Sequence, residues 1–300
     1  MQNIVELYYQ SYKHLHKGDY INGFNLFENR WRKESIATLP VPFKKLTPQP
    51  VWKGQPLFNK SITVQMEMGY GDCIQFIRFI PLLKVLGAKH ITVLQTKSLH
   101  HLFAQIQCIN CITNDENSDV ATKTDYWVGS MSLSALALQS PSYARSLFPI
   151  TKTKIVSSEG YLDAKASNIK YKVGVNWSAA QTVLHKVKSI SAKEMKELVP
   201  EAYSLNPESN EGFIPLPNDG WKENWSLTAS HMRAMKAVVT VDTGTAHLAG
   251  ALGVKCIVLL PEEEHICWRW KNASWYDSVI PLKRHEWSKV PELLNQNLHK

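Results

Sequence analysis

Apolar positions recur every three or four residues at the start of the chain, and in alternating or unbroken short runs from residue 62 onward. The first regime predicts two short helices over residues 3–33. Leu7, Tyr8, Tyr12 and Leu15 line one stripe, Gly18-Asp19 breaks it, and Tyr20, Phe24, Phe27 and Trp31 line the next. A single helical pair cannot bury its own apolar face, so it must pack on the domain C-terminal to it. Residues 37–59, with Pro40, Pro42, Pro48, Pro50 and Pro56, read as an irregular connector.

The second regime predicts strands alternating with helices. Strands are expected at 62–68, 90–96 and 126–130, with an amphipathic helix from Cys73 to Leu86 and a further helix over 98–106. Residues 139–168 read as the route out of this first series. A second series starts with a strand at 171–177. It continues through a helix at 191–198, a strand near 201–205 and a proline- and glycine-rich loop over 206–225. Next come a helix at 226–236, a strand at 237–243, a helix at 245–252 and a strand at 255–261, and 285–298 reads as a closing helix. Strand–helix alternation implies parallel, doubly wound sheets. The fold class is therefore α/β, as two Rossmann-like domains facing a cleft, with a short N-terminal helical pair that resembles one tetratricopeptide unit.

Composition changes this picture little. The 300 residues are 44% hydrophobic and 20% charged, an ordinary globular balance and enough chain for two cores. No stretch approaches the roughly 20 apolar residues of a membrane span, and the polar start does not read as a secretory signal. The expected location is the cytoplasm. Five cysteines, an odd number, argue against a disulfide framework. Cys108 and Cys111 form a CxxC without a second ligand pair at zinc-site spacing, so a structural role is the reading. The net charge of +8 suits anionic substrates and leaves open peripheral contact with an anionic membrane face. The basic residues are scattered and carry no nucleic-acid-binding motif, so no nucleic-acid partner is expected.

Two turns carry candidate chemistry. In the segment from Ala237 to Gly253 a buried strand runs into Asp242-Thr243-Gly244-Thr245, and an Ala- and Leu-rich helix begins at once. A helix start presents unpaired N–H groups and partial positive charge, a site for phosphate. His247, in the first turn, either reaches that anion or is simply a satisfied residue beside an N-cap. The other turn, Gly69-Tyr70-Gly71-Asp72, joins a strand to a helix at the carboxyl end of a sheet, where α/β proteins bind ligands. Its carboxylate is also an ordinary partner for the helix dipole.

Together the turns resemble the lipopolysaccharide heptosyltransferase superfamily, glycosyltransferase family nine, which pairs a GD(x)nP turn with a D-[TS]-G-x-x-H-L stretch. Gly71-Asp72 followed by Pro81 supplies the first, and Asp242 to Leu248 the second. The chain is more similar still to a bacterial branch in which such a domain follows tetratricopeptide repeats. That likeness lies in Gly18-Asp19 through Glu28-Asn29-Arg30-Trp31, Pro50-Val51-Trp52-Lys53-Gly54, Gly174-Val175-Asn176-Trp177, Trp268-Arg269-Trp270 and Trp275-Tyr276.

The resemblance implies a GT-B architecture: a helical pair at 1–36, an acceptor domain at 37–168, a nucleotide-sugar domain at 169–284 and a closing helix at 285–300. It implies an inverting glycosyltransferase that moves a sugar from a nucleotide-sugar donor to a glycan or protein acceptor. Asp72 would be the general base, with Gly69, Tyr70, Gly71 and Gln75 on the acceptor side. Asp242, Thr243, Gly244, Thr245 and His247 would hold the donor, with Trp177, Lys186, Lys188, Glu262 and Arg269 as further donor contacts. Glu262 and Glu263, just after the strand at 255–261, are together the candidates for binding the ribose hydroxyls. No DxD motif occurs, so a metal-bound diphosphate is not indicated and no cofactor is expected. Lys186 and Lys188 read either as phosphate ligands or as a solvated loop. The tryptophans at 268–275 read either as ligand contacts or as an anchor for the C-terminal segment. The rival function is a non-catalytic module that binds a nucleotide or a partner. The donor's base and sugar, and the oligomeric state, are not encoded in any recognisable pattern.

Overall fold

The computed structural model describes residues 3–32, 44–114, 123–139, 161–168, 171–180, 185–217, 223–271 and 275–298. The parts of the expected connecting segments at 37–43, 140–160 and 218–222 lie outside the described residues. The chain divides into two compact units: Met1–Ser157 with Cys267–Trp275, and Ser158–Ile266 with Tyr276–Lys300.

In the first unit, α1 (Ile4–His16) and α2 (Tyr20–Phe27) form the N-terminal pair. Asn3 caps α1 by accepting from the Val5 N–H, and Asp19 caps α2. Between them Gly18 turns the chain at φ 76°, a conformation glycine adopts without steric cost. The apolar stripes meet, with the Tyr8 and Tyr12 rings 5.8 and 5.9 Å from Phe27.

Beyond the pair lie four parallel strands: β1 (Ser61–Gln65), β2 (His90–Leu94), β3 (Cys111–Thr113) and β4 (Tyr126–Gly129), in the order β3-β2-β1-β4. The expected helix from Cys73 to Leu86 is broken. It consists of α3 (Tyr70–Phe76), a 3-10 turn (Ile77–Phe79) and α4 (Ile80–Val85). Pro81 in the first turn of α4 is the reason, since its ring excludes the helical hydrogen bond and crowds the preceding backbone. The expected helix at 98–106 is shorter, with a 3-10 turn (Lys97–Leu99) leading into α5 (His100–Phe103). After β4, α6 (Ser132–Gln139) occupies residues between the last expected strand and the route out of the domain.

The second unit holds β5 (Tyr171–Asn176), β6 (Tyr203–Ser204), β7 (Met235–Val241), β8 (Cys256–Leu259) and β9 (Val279–Leu282). They are parallel, in the order β6-β5-β7-β8-β9. Its helices are α7 (His185–Lys188), α8 (Ala192–Leu198), α9 (Trp225–Arg233) and α10 (Gly244–Leu252). The last stretch, expected as one helix, is a 3-10 segment (Arg284–Lys289) leading into a helix (Val290–Leu298). Val173, Val175, Met195, Val239, Val241, Ile257 and Leu259 form the core. β7 is buried at every position but Lys236, as a strand covered on both faces must be. α11 (Trp268–Lys271), although late in sequence, belongs to the first unit. There Trp268 packs on Phe24 at 5.8 Å and on Trp275 at 6.0 Å, and both tryptophans are buried. Their role is to anchor this segment.

Among the described residues, no helix is long and apolar enough to cross a membrane.

Candidate functional site

The strand orders locate where ligands belong. In a doubly wound sheet the crevice lies outside the carboxyl ends of the strands, where the winding direction reverses. That point falls between β1 and β4 in the first sheet and between β5 and β7 in the second.

In the second unit, β7 runs into Asp242, and α10 starts two residues later. Thr243 is the N-cap, and its hydroxyl accepts from the Thr245 N–H at 3.3 Å. Asn176, the last residue of β5, reaches across the reversal. Its amide donates to the Thr245 hydroxyl at 3.0 Å and, at 3.5 Å, to that of Thr243. The Thr240 and Thr243 hydroxyls share a bond at 3.2 Å. Asp242 is buried and takes an ion pair from Lys188 at 2.6 Å. Lys188 therefore does not sit in a solvated loop but on α7, tied to the turn, while Lys186 on the same helix is exposed. His247 is buried and shares a 3.2 Å hydrogen bond with the Tyr276 hydroxyl. Gly250, one turn further along α10, lies so close to the Tyr276 ring that an added Cβ would overlap it.

The remaining expected donor contacts lie on other elements. Trp177 is buried in the core, its ring 5.0 Å from Phe213, because it leaves β5 on the sheet's packed face; it offers no ring face to a ligand. Arg269 lies in the first unit. Glu262 and Glu263 are exposed just after β8, and Glu263 pairs with Lys283 at 3.0 Å.

In the first unit, β1 runs into a turn with Met68 at φ 63°, a left-handed conformation that is costly for a side chain with a Cβ. Gly69 is the N-cap of α3, and its N–H donates to Asp72 Oδ2 at 3.2 Å. Asp72 Oδ1 forms an ion pair with the Arg269 guanidinium. The Arg269 Nε–H donates to Gln75 Oε1 at 2.7 Å, and its guanidinium lies 5.0 Å from the Trp268 ring. Burial disfavours charge on Arg269, but Asp72, Cys267 and Tyr12 together outweigh it, Asp72 most, and the guanidinium stays firmly protonated. Gln75, expected on the acceptor side, is wholly buried because α3 turns that face toward the core and Arg269. Tyr70 and Gly69 are exposed.

The crevice between β1 and β4 holds a cluster that the pattern of the sequence does not reveal. Arg30, just after α2, is fully buried and grips Glu67 with two hydrogen bonds, Nε to Oε1 at 2.8 Å and Nη2 to Oε2 at 3.0 Å. It also pairs with Glu28 at 2.7 Å and donates to the Phe27 carbonyl and the Ser132 hydroxyl. Glu67 Oε2 accepts from the Met131 N–H at 2.9 Å. Gly129 fits beneath because any Cβ there would strike the Glu67 carboxylate and the Trp31 ring. The helical pair thus fills this crevice with its own cation.

Cys73 and Cys256 are buried, and burial pushes both thiols well up, so neither supplies a thiolate nucleophile. Cys111 opens β3 and is half-buried, as is Cys108, and both are free thiols. Among the described residues, no group of three or more His, Cys, Asp or Glu is placed to hold a metal.

No protein-family model matches the sequence, and no curated protein does. Solved structures do resemble it. A glycosyl transferase family 9 protein from Veillonella parvula aligns at 14% identity and a TM-score of 0.50, covering 81% of this chain and 91% of that one. The E. coli ADP-heptose lipopolysaccharide heptosyltransferase II aligns at 13% and 0.53, over 80% of this chain and 98% of that one. The E. coli heptosyltransferase WaaC, solved with ADP, aligns at 10% and 0.53, over 79% and 99%. At these identities the likeness is one of fold: α/β, with two parallel sheets.

Proposed function

We propose that this protein is an inverting, metal-independent glycosyltransferase of GT-B architecture that transfers a sugar from a nucleotide sugar to a glycan or protein acceptor. The observation that carries the proposal is the turn at Asp242–Thr245. It joins a helix N-terminus, two hydroxyls, a strand-end amide and a buried Asp paired with a half-buried Lys at the reversal point of the second sheet. A diphosphate is the ligand that such a start of helix favours, because the N–H groups and dipole stabilise negative charge. The fold shared with heptosyltransferases supports the same reading.

The donor diphosphate would lie against Thr243, Gly244 and Thr245. Lys188 and Lys186 would supply positive charge as the leaving group develops its own. Asp72, on the partly accessible turn of the first unit, would take the acceptor's proton. One carboxylate acting alone gives a single displacement, hence inversion.

The first test is calorimetric titration with free ADP, UDP, GDP, CDP and dTDP. One nucleotide is expected to bind saturably. Thr245→Val together with Asn176→Leu is expected to weaken it about tenfold, the scale of one lost charge-assisted hydrogen bond. Absence of binding by all five would remove the proposal's main support.

A further inference from the structure

We infer that Arg269, backed by Gln75, is the positioning residue that orients the Asp72 carboxylate; the inference rests on the glycosyltransferase reading above. Asp72 stands at the start of a short helix, where its Oδ2 already has a partner in the Gly69 N–H. That single contact leaves the carboxylate free to swing about its side-chain torsions. The second hold, on Oδ1, comes from a residue 197 positions away. Two contacts on two different oxygens fix the plane of the carboxylate.

Arg269 is itself immobilised. Its Nε–H is committed to Gln75 Oε1, one Nη lies 3.3 Å from Cys267 Sγ, and its plane is bounded by the Trp268 ring at 5.0 Å and the Phe76 ring at 5.9 Å. Gln75 completes the arrangement at a cost: it is wholly buried, and its side-chain N–H groups find no hydrogen-bond partner among the described residues. An apolar residue of similar shape would pack there without that penalty, so packing does not account for a glutamine. Its oxygen aligns Arg269, and Arg269 aligns Asp72. The Asp72 side chain nevertheless keeps 19% of its surface accessible, so a hydroxyl can reach it. A carboxylate oxygen can accept two hydrogen bonds, and the grip leaves room for a substrate proton.

The step that this geometry serves is a balanced displacement. The acceptor oxygen bonds to the anomeric carbon and the bond from that carbon to the diphosphate oxygen breaks. The electron pair leaves on the diphosphate, and the acceptor's proton passes to Asp72. A base misdirected by even a small angle loses reach of that proton.

The test measures donor hydrolysis, with water as acceptor, on ADP-heptose, ADP-glucose, UDP-glucose, UDP-N-acetylglucosamine, GDP-mannose and dTDP-rhamnose, using the full chain. With the donor that turns over, Arg269→Gln is expected to lower kcat by about 10- to 100-fold, within the range a general base supplies. The KM for the donor should stay within about twofold. Arg269→Lys should recover part of the rate, because an ammonium replaces one contact but not the planar fork. Asp72→Asn combined with Arg269→Gln should be no slower than Asp72→Asn alone, since both act through one group. Unchanged kcat, a loss confined to donor KM, or additive losses in the double variant would overturn the inference while leaving the glycosyltransferase reading intact. A wild-type chain that hydrolyses none of the six donors would overturn both.

Discussion

Arg30→Ala is expected to destabilise the first unit by about 3–5 kcal/mol, the cost of breaking a buried ion pair and stranding its partner. Arg30 has no exposed side-chain surface, and Glu67 has almost none. Of five hydrogen bonds from one guanidinium, three tie the helical pair to Glu67, just after β1, and to Ser132, while two stay local, on Phe27 and Glu28. Once the cation is gone, Glu67 keeps only the Met131 N–H among these contacts and must be protonated or solvated within a packed site. Thermal unfolding monitored by tryptophan fluorescence should show the first-unit transition lowered on the order of 10 °C. Arg30→Lys should recover only part of this, because a single ammonium cannot grip Glu67 with two bonds while also bridging to Glu28. Arg30→Met with Glu67→Met, which removes both charges, should lie closer to wild type than Arg30→Ala does. A shift of less than about 2 °C for Arg30→Ala would mean that the cluster is hydrated and the helical pair is held by its aromatic contacts instead.

Asp72→Asn is expected to reduce sugar transfer by about 10²- to 10⁴-fold, the share a positioned general base contributes. Asparagine has nearly the same shape and can still accept from the Gly69 N–H, so the turn should survive, but it cannot take a proton. Nucleotide affinity should stay within about twofold, because the candidate diphosphate site is built from residues 176, 188 and 242–245 of the other unit. The comparison of titration with turnover separates two outcomes. Lost turnover with intact binding supports Asp72 as the base. Turnover within about threefold of wild type would move the base elsewhere.

The sequence makes local features legible. The strand, turn and helix from Met235 to Leu252 announce themselves by an unbroken apolar run, a Thr N-cap and a small-residue helix. The same holds for Ser191, whose capping box with Glu194 starts α8 within a residue of the expected position. Two of the four edge strands, β3 and β9, escape notice. Three residues at Cys111–Thr113 and four at Val279–Leu282 are too short for a period to show, and one of them contains a proline, tolerated at a sheet edge. Side-chain pairings are also out of reach. Arg30 and Glu67 are 37 positions apart, and Arg269 and Asp72 are 197 apart, so nothing in a window of sequence links them. Position misleads in two cases. Trp177 and Gln75 both lie beside candidate ligand turns, yet the strand and helix that carry them point them into the cores.

The Arg30 cluster also sets the two sheets apart chemically. The reversal point of the first sheet is filled by the chain's own guanidinium and the Trp31 ring, whereas the second sheet's reversal point is lined by hydroxyls and an amide. The two halves share a winding pattern, and among the described residues the hydroxyl-lined turn belongs to the second.

Proton NMR of the anomeric centre tests the central claim most directly. The nucleotide sugar that binds most tightly is mixed with the chain, and the anomeric proton of the released or transferred sugar is observed from the first minutes, before mutarotation. A single displacement assisted by Asp72 predicts a first product of anomeric configuration opposite to the donor's. A product that retains the donor's configuration, or a donor signal unchanged while bound, would contradict inverting transfer by this protein.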